Sequence, residues 1–222
     1  MIPVYITTFN RLAYVQDMVA CLVGVPDVEP IIVDNASTYS PLIEWYRDCP
    51  VEVIRRDTNG GPRAVWATPA IDFRRTTYYA VTDPDLDLSG VPTDFLAVLC
   101  DGLERNRDVM KCGLSLEIDD LPSLPMTARI LAWESKFWSD RLDSQFFRAD
   151  VATTLAVYSA ARGYAHYRPA LRSDRPYTAR HRPWYVTSET ATDDDRYYWS
   201  HLEHKQTLGW SPRIGRTHGA AR

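Results

Sequence analysis

Three carboxylates, Asp83, Asp85 and Asp87, alternate in the segment YYAVTDPDLDL (78–88), directly after an apolar run. In extended backbone, residues two apart point to the same side, so Asp83 and Asp85 would present their carboxylates together. Pro84 between them cannot donate to a sheet ladder, which suits a strand that is ending. Two oxygen-bearing side chains on one side suit a hard divalent cation, Mg2+ or Mn2+, whose shell a substrate's phosphates would complete. The same spacing also fits a solvated acidic turn.

Other residues could serve such a centre. Asp34 closes the apolar run IIVD, where its carboxylate could accept from a nucleobase N–H or a ribose hydroxyl, or close an Asx turn. In Asn59-Gly60-Gly61 the missing Cβ atoms would let backbone approach a bound nucleotide; a plain turn uses the same residues. The chain has no GxGxxG after its first strand, no GxxxxGK[ST], no GxSxG and no HExxH. His201 and His204 share a helical face, but a zinc site would need further ligands. Asp193-Asp194-Asp195 reads as a helix start, with capping and a favourable dipole. Trp133, Trp138, Trp184 and Trp199 read as core or sugar-stacking residues.

The elements that must position these groups follow one pattern. Pro3–Thr7 is a strand, followed by a helix through RLAYVQDMVACLVG with Leu12, Val15, Val19 and Leu22 on one face and Asn10 as N-cap. Pro30–Val33 is a second strand, with a helix through PLIEWYRDC; Val51–Ile54 is a third, with a helix through AVWATPA; Tyr78–Thr82 is a fourth. Such alternation predicts parallel pairing and a three-layer α/β/α sandwich with a mostly parallel central sheet. Ligands bind beyond the carboxyl ends of strands in such sheets. That rule gathers Thr7–Arg11, Asp34–Ser37, Asn59–Arg63 and Asp83–Asp87 at one rim. Thr93–Asn106 predicts a further helix, Lys111–Ile118 a strand, ARILAWESKFW a helix after a Pro-containing loop, and the stretch from about Asp193 to His204 a last helix.

Composition sets the bounds. The chain has 222 residues, 45% of them hydrophobic, enough for one good core and a single domain. No stretch of about 18 apolar residues predicts a transmembrane helix. MIPVYITTFNR reads as a strand rather than a signal peptide. Cys21, Cys49, Cys100 and Cys112 show no CxxC or zinc spacing, which predicts reduced, mostly buried thiols of a cytoplasmic protein. The net charge is −4, yet from Gly163 onward ten basic residues face six acidic ones. That asymmetry fits either an anionic ligand near the C-terminal part or scattered surface arginines.

The order VYITTFNR, IIVDNAS, NGGPRA and YYAVTDPDLDL resembles the nucleotide-sugar domain of GT-A glycosyltransferases, especially those similar to family 2. It covers about residues 1–90, the nucleotide-sugar half, and leaves 91–222 as the acceptor half. The resemblance implies donor binding by Thr7, Phe9, Arg11, Asp34, Asn59, Gly60, Arg63 and Asp83, with Asp83 and Asp85 as metal pair. FFRADVATTLAVY looks like the acceptor-side strand of small bacterial and viral GT-A enzymes, which makes Asp150 the general base, with an inserted-looking Val151-Ala152. Asp140, Asp143 and Glu134 are rival bases. ARHRPWY looks like the family's C-terminal segment, so that His181 would complete the metal shell and Arg180 or Arg182 would lie near the phosphates.

These expectations add up to a hexosyl- or pentosyltransferase using Mn2+ or Mg2+ and a nucleotide-sugar donor, UDP by default, with inversion. The acceptor hydroxyl is open between a glycan, a protein and a hydroxymethylated DNA base. Rival readings are a nucleotidyltransferase, for which TTFNR lacks the glycine-rich pattern, and a catalytically silent nucleotide- or glycan-binding module.

Overall fold

The computed structural model describes residues 1–151, 154–164 and 169–202. In chain order the elements are β1 (Ile2–Thr8), α1 (Leu12–Val23), β2 (Val28–Asp34), α2 (Ser40–Trp45), β3 (Glu52–Arg55), β4 (Tyr78–Thr82), β5 (Leu86–Asp87) and α3 (Phe95–Arg105). Then follow β6 (Lys111–Gly113), β7 (Ser115–Leu116), α4 (Thr127–Glu134), β8 (Phe146–Arg148), β9 (Ala156–Ser159), β10 (Ala170–Ser173), β11 (Thr178–His181) and α5 (Asp193–Ser200).

Eight strands form one sheet in the order β3-β2-β1-β4-β9-β6-β10-β8. β3, β2, β1 and β4 are mutually parallel, as are β6 and β10, whereas β9 and β8 run antiparallel to their neighbours. The sheet is therefore mostly parallel and flanked by helices, the mixed α/β architecture predicted. Its order reverses at β1, with β2 on one side and β4 on the other, which creates the crevice where ligands of such sheets bind. Register aligns the strand ends there: Thr8 stands opposite Asp34 and Ile6 opposite Thr82.

Alternate residues of each strand face opposite cores. Val4, Ile6, Ile32 and Ala80 join Val15, Met18, Val19 and Leu22 of α1 and Phe95, Leu99 and Leu103 of α3 in the larger cluster. Tyr5, Ile31, Val33, Tyr79, Val81 and Tyr158 face the other way, against Val65, Trp66 and Phe73.

That second face is closed differently from the expectation. AVWATPA is no α-helix; a 3-10 turn, Gly61–Arg63, and further turns stand in its place. The Arg56 guanidinium donates to the carbonyls of Ala64 (3.1 Å) and Ala67 (2.8 Å), and the Thr68 hydroxyl donates to Ala64 O (2.7 Å). Pro69 brings no N–H. Carbonyls that a helix would have used are thus already satisfied, and one donor it needs is missing.

The predicted strand 111–118 is also two strands. β6 stays in the large sheet, while β7 pairs with β11 in a small sheet ordered β5-β11-β7. Of the four free cysteines only Cys112 is buried; Cys21, Cys49 and Cys100 are half-buried, which corrects the expectation of mostly buried thiols. The last helix ends at Ser200, and His204 lies outside the described residues. Among those residues no helix is long and apolar enough to cross a membrane.

Candidate active site

The acidic segment is not the extended pair of carboxylates expected from alternation. β4 ends at Thr82, residues 84–85 form a turn, and β5 resumes at Leu86. Asp83 lines a small cavity with Thr7, Trp66, Thr82, Lys111 and Tyr158. Asp85 turns instead toward the small sheet, where its carbonyl accepts from Arg182 N (2.9 Å) and its Oδ1 lies 3.7 Å from His181 Nε2. Asp87 closes the turn by accepting from Ser89 N (2.9 Å).

Asp85 and His181 were 96 positions apart in the sequence, and the pairing of β11 with β5 is what joins them, His181 standing opposite Leu86. Their gap exceeds a hydrogen bond. Asp85 Oδ1 and His181 Nδ1 are both buried without a hydrogen-bond partner. Burial lowers the His181 pKa, helped by the Arg11 charge and opposed by Asp85, which favours a neutral imidazole with a lone pair to offer. Orphaned buried polar atoms cost about 1–3 kcal/mol each, so Asp85 Oδ1 marks a place where a partner fits, beside His181 Nε2; the orphaned Nδ1 lies on another side of the ring. Mg2+ and Mn2+ take few protein ligands when phosphates supply the rest. Asp85 Oδ1 and His181 Nε2 fit as two ligands of such an ion, whereas Asp83 faces the neighbouring cavity, and among the described residues no three His, Cys, Asp or Glu side chains converge as a shell.

The loops after β1 and β2 are locked to each other. Asn10 takes a positive φ of 54°, and its Oδ1 accepts from Thr38 N (2.7 Å) and Tyr39 N (3.0 Å) while its own N donates to Ser37 Oγ (2.9 Å). Asn10 is therefore not the cap of α1, as its position suggested. Asp194 of α5 takes that role, accepting from Ala13 N (2.9 Å). Asp195 closes a capping box with Thr192, as the acidic run predicted, and its other oxygen accepts from Arg11 (3.1 Å).

Two residues expected at the donor are turned inward. Asp34 is fully buried, its carboxylate accepting from Tyr46 (3.0 Å), Arg55 (3.2 Å) and Ser37 N (3.3 Å). The Tyr46 phenol is raised by burial first and by Asp34 second. Arg11 is 4% exposed, with its guanidinium 3.9 Å over the Tyr198 ring and 4.7 Å from Tyr14. Burial works against its charge, but Asp85 foremost, then Tyr198, Tyr14 and Asp195, raise its pKa. Both residues order the loops on which a donor would rest. Phe9 is half-buried, edge-on to Tyr198 at 6.2 Å, and Thr7 is half-buried at the cavity.

Asn35, which sequence reasoning passed over, clips down the glycine turn. Its amide donates to Asn59 Oδ1 (2.7 Å) and Gly61 O (3.2 Å), and its Oδ1 accepts from Gly60 N (2.7 Å). Arg63 and Gly60 are exposed beside it. Gly61 has a φ of 63°, the left-handed region that favours glycine.

On the acceptor side the four rival carboxylates separate. Glu134 is buried in an ion pair with Arg172 at 2.7 Å. Asp143 pairs with Arg105 (3.0 Å) and accepts from Gln145 N and Phe146 N; these outweigh burial and hold its pKa low. Asp140 and Asp150 are exposed, and Asp150 acts electrostatically on Lys111 of the cavity. The Lys111 ammonium is pulled down to about 8, mainly by burial and further by Arg172, against the pull of Asp150. A lysine opening the run KCGLSL was a visible signal that periodicity alone did not weigh.

Arg180 and Arg182 are already paired, with Asp120 and Asp17, each at 2.6 Å. Val151 is buried, whereas Ala152 and Thr153 lie outside the described residues. His201 stacks on Tyr197 at 3.9 Å.

No family model matches the chain, and neither does any curated protein. Solved structures match parts of it. Glucosyl-3-phosphoglycerate synthase from Mycobacterium tuberculosis in complex with phosphoglyceric acid is 16% identical, at a TM-score of 0.45 over 72% of this chain and 57% of that one. GalNAc-T7 with UDP, GalNAc and Mn2+ is 12% identical, at 0.49 over 77% and 42%. A cytidylyltransferase from Leptospira borgpetersenii serovar Hardjo-bovis is 8% identical, at 0.42 over 72% and 60%. The matched region spans about half the length of those structures, and likenesses below a TM-score of 0.5 add no argument. The strand order and pairing give a mixed α/β fold with a mostly parallel central sheet, beside a small sheet whose pairing joins Asp85 and His181.

Proposed function

We propose that the chain is a metal-dependent glycosyltransferase, moving a sugar from a nucleoside diphosphate sugar, UDP by default, to an acceptor hydroxyl with inversion. The observation that carries the reading is the meeting of Asp85 and His181 at the sheet's carboxyl rim, where the buried Asp85 Oδ1, which lacks a hydrogen-bond partner, faces His181 Nε2 at 3.7 Å. A divalent ion held by Asp85 and His181 would neutralise charge on the leaving diphosphate.

The chain's own residues do the rest. Thr7, Phe9, Gly60 and Arg63 face the nucleoside and its phosphates, while Asp34, Arg11 and Asn59 act one layer behind by fixing the loops. Asp150 takes the proton from the acceptor hydroxyl as it attacks the anomeric carbon. With base and leaving group on opposite faces of the sugar, its configuration inverts.

Calorimetric titration of UDP, GDP and TDP, with Mn2+ or with EDTA, tests the donor site in wild type and Asp85→Ala. The reading expects one nucleotide to bind only with metal, and not to the variant. A folded wild type that binds none of them removes it. Formation of a nucleoside diphosphate sugar from a triphosphate, with release of pyrophosphate, would replace it by a nucleotidyltransferase.

A further inference from the structure

The backbone that carries Asp150 is fastened by two buried cations from neighbouring strands. Arg172 Nε of β10 donates to the Asp150 carbonyl at 2.7 Å, and Lys111 Nζ of β6 donates to the next carbonyl, that of Val151. β6 and β10 are parallel neighbours, with Arg172 opposite Gly113. Gly113 completes the seat: a Cβ there would lie 2.7 Å from Val151 Cγ1 and 2.9 Å from Leu155 O, so only glycine lets the segment settle. Farther on, Leu114 N donates to Leu155 O (2.9 Å) and Thr154 Oγ1 to Leu114 O (3.2 Å).

Arg172 is itself held. Its Nη1 donates to Glu134 at 2.7 Å, the two side chains being 2% and 4% exposed, and its guanidinium lies 4.0 Å from the Phe137 ring. Buried cations are costly to keep unless they are paired and their remaining donors are hydrogen-bonded. Here each reaches a backbone carbonyl, at adjacent residues, where Val151 is buried and Asp150 is exposed.

We infer that Lys111 and Arg172 are positioning residues that aim the Asp150 carboxylate, with Glu134 orienting Arg172. The inference rests on Asp150 being the base. A base must come within hydrogen-bond reach of the proton it takes. A carboxylate on an untethered loop would sample many positions, and a misplacement of about 1 Å costs about 100-fold in rate. The Arg172 donor sets the peptide plane that follows Asp150 and the Lys111 donor fixes the next plane, so the chain cannot swing about Val151 and carry the Asp150 carboxylate with it.

Arg172→Lys and Lys111→Met test this beside Asp150→Asn. Lysine at 172 keeps a charge for Glu134 but lacks the fork that serves Glu134 and the Asp150 carbonyl together. Methionine at 111 keeps the apolar stem and loses the donor. The assay follows release of nucleoside diphosphate from UDP-, GDP- and TDP-sugars with Mn2+, water serving as acceptor, and circular dichroism checks folding. Both variants should keep the wild-type KM and nucleotide affinity while kcat falls about 10- to 100-fold. Wild-type kcat in either folded variant, with Asp150→Asn inactive, would overturn the positioning role and leave the base in place. Full turnover by Asp150→Asn would instead remove the base, and the inference with it. A wild type that turns over no donor would remove the proposed function and the inference together.

Discussion

Removing the carboxylate of Asp195 should cost the fold about 3–5 kcal/mol, the usual loss when one partner of a buried ion pair is deleted. Arg11 and Asp195 stand 3.1 Å apart, with side chains 5% and 2% exposed, so neither can be rehydrated without moving α5. Asp195→Ala strands the guanidinium between the rings of Tyr198 and Tyr14 and also breaks the capping box with Thr192. For a chain of this length about 2–4 °C of Tm accompany each kcal/mol, which gives a fall of about 6–20 °C. Thermal unfolding of wild type, Asp195→Ala, Arg11→Met and the double variant measures it. Because each single change leaves a buried charge behind, the double variant should cost about 0.5–3 kcal/mol less than the two singles added together. A fall below about 2 °C, or strict additivity, would refute the idea that this pair latches α5 onto the loop after β1.

Tyr46→Phe takes one donor from the fully buried Asp34 and should lower stability by about 1–3 kcal/mol in urea unfolding, with the Asp34–Arg55 contact remaining. Lys111 has its pKa depressed to about 8 from an ordinary 10.5, so the unfolded chain holds that proton more tightly. Its charging penalty is therefore present below pH 8 and relieved as pH rises to 10.5. Urea midpoints across that window should show wild type gaining stability relative to Lys111→Met; a constant difference would contradict the burial of the ammonium. Gly113→Ala should cost about 1–3 kcal/mol by overpacking against Val151 and Leu155, read as a lowered Tm.

The four strands of the first half were legible because each is a short apolar run between turn residues, and β4 was found with its predicted bounds, Tyr78–Thr82. α1 was legible for the same kind of reason: Val15, Val19 and Leu22 fall on one face, and that face is buried. From those elements the rim followed, since parallel strands must end on one side. What failed were inferences that treated a polar side chain as serving its own neighbourhood. The position of Asn10 fits a cap for the next helix, but its oxygen accepts from Thr38 and Tyr39 instead. The pattern of AVWATPA predicts a helix, but Arg56 takes the carbonyls of Ala64 and Ala67.

The alternation of strands and helices, the mostly parallel sheet and the rim beyond the strand ends were all readable from local patterning. Local periodicity and turn chemistry act over a few residues, so one sequence suffices to read them. Which groups meet is a matter of the folded chain: Asp85 with His181, Arg11 with Asp195, Arg172 with Glu134 and the Asp150 carbonyl. Those partners lie 22 to 184 positions apart. The energy of such a contact depends on burial and distance in the folded chain, and spacing along the sequence carries neither.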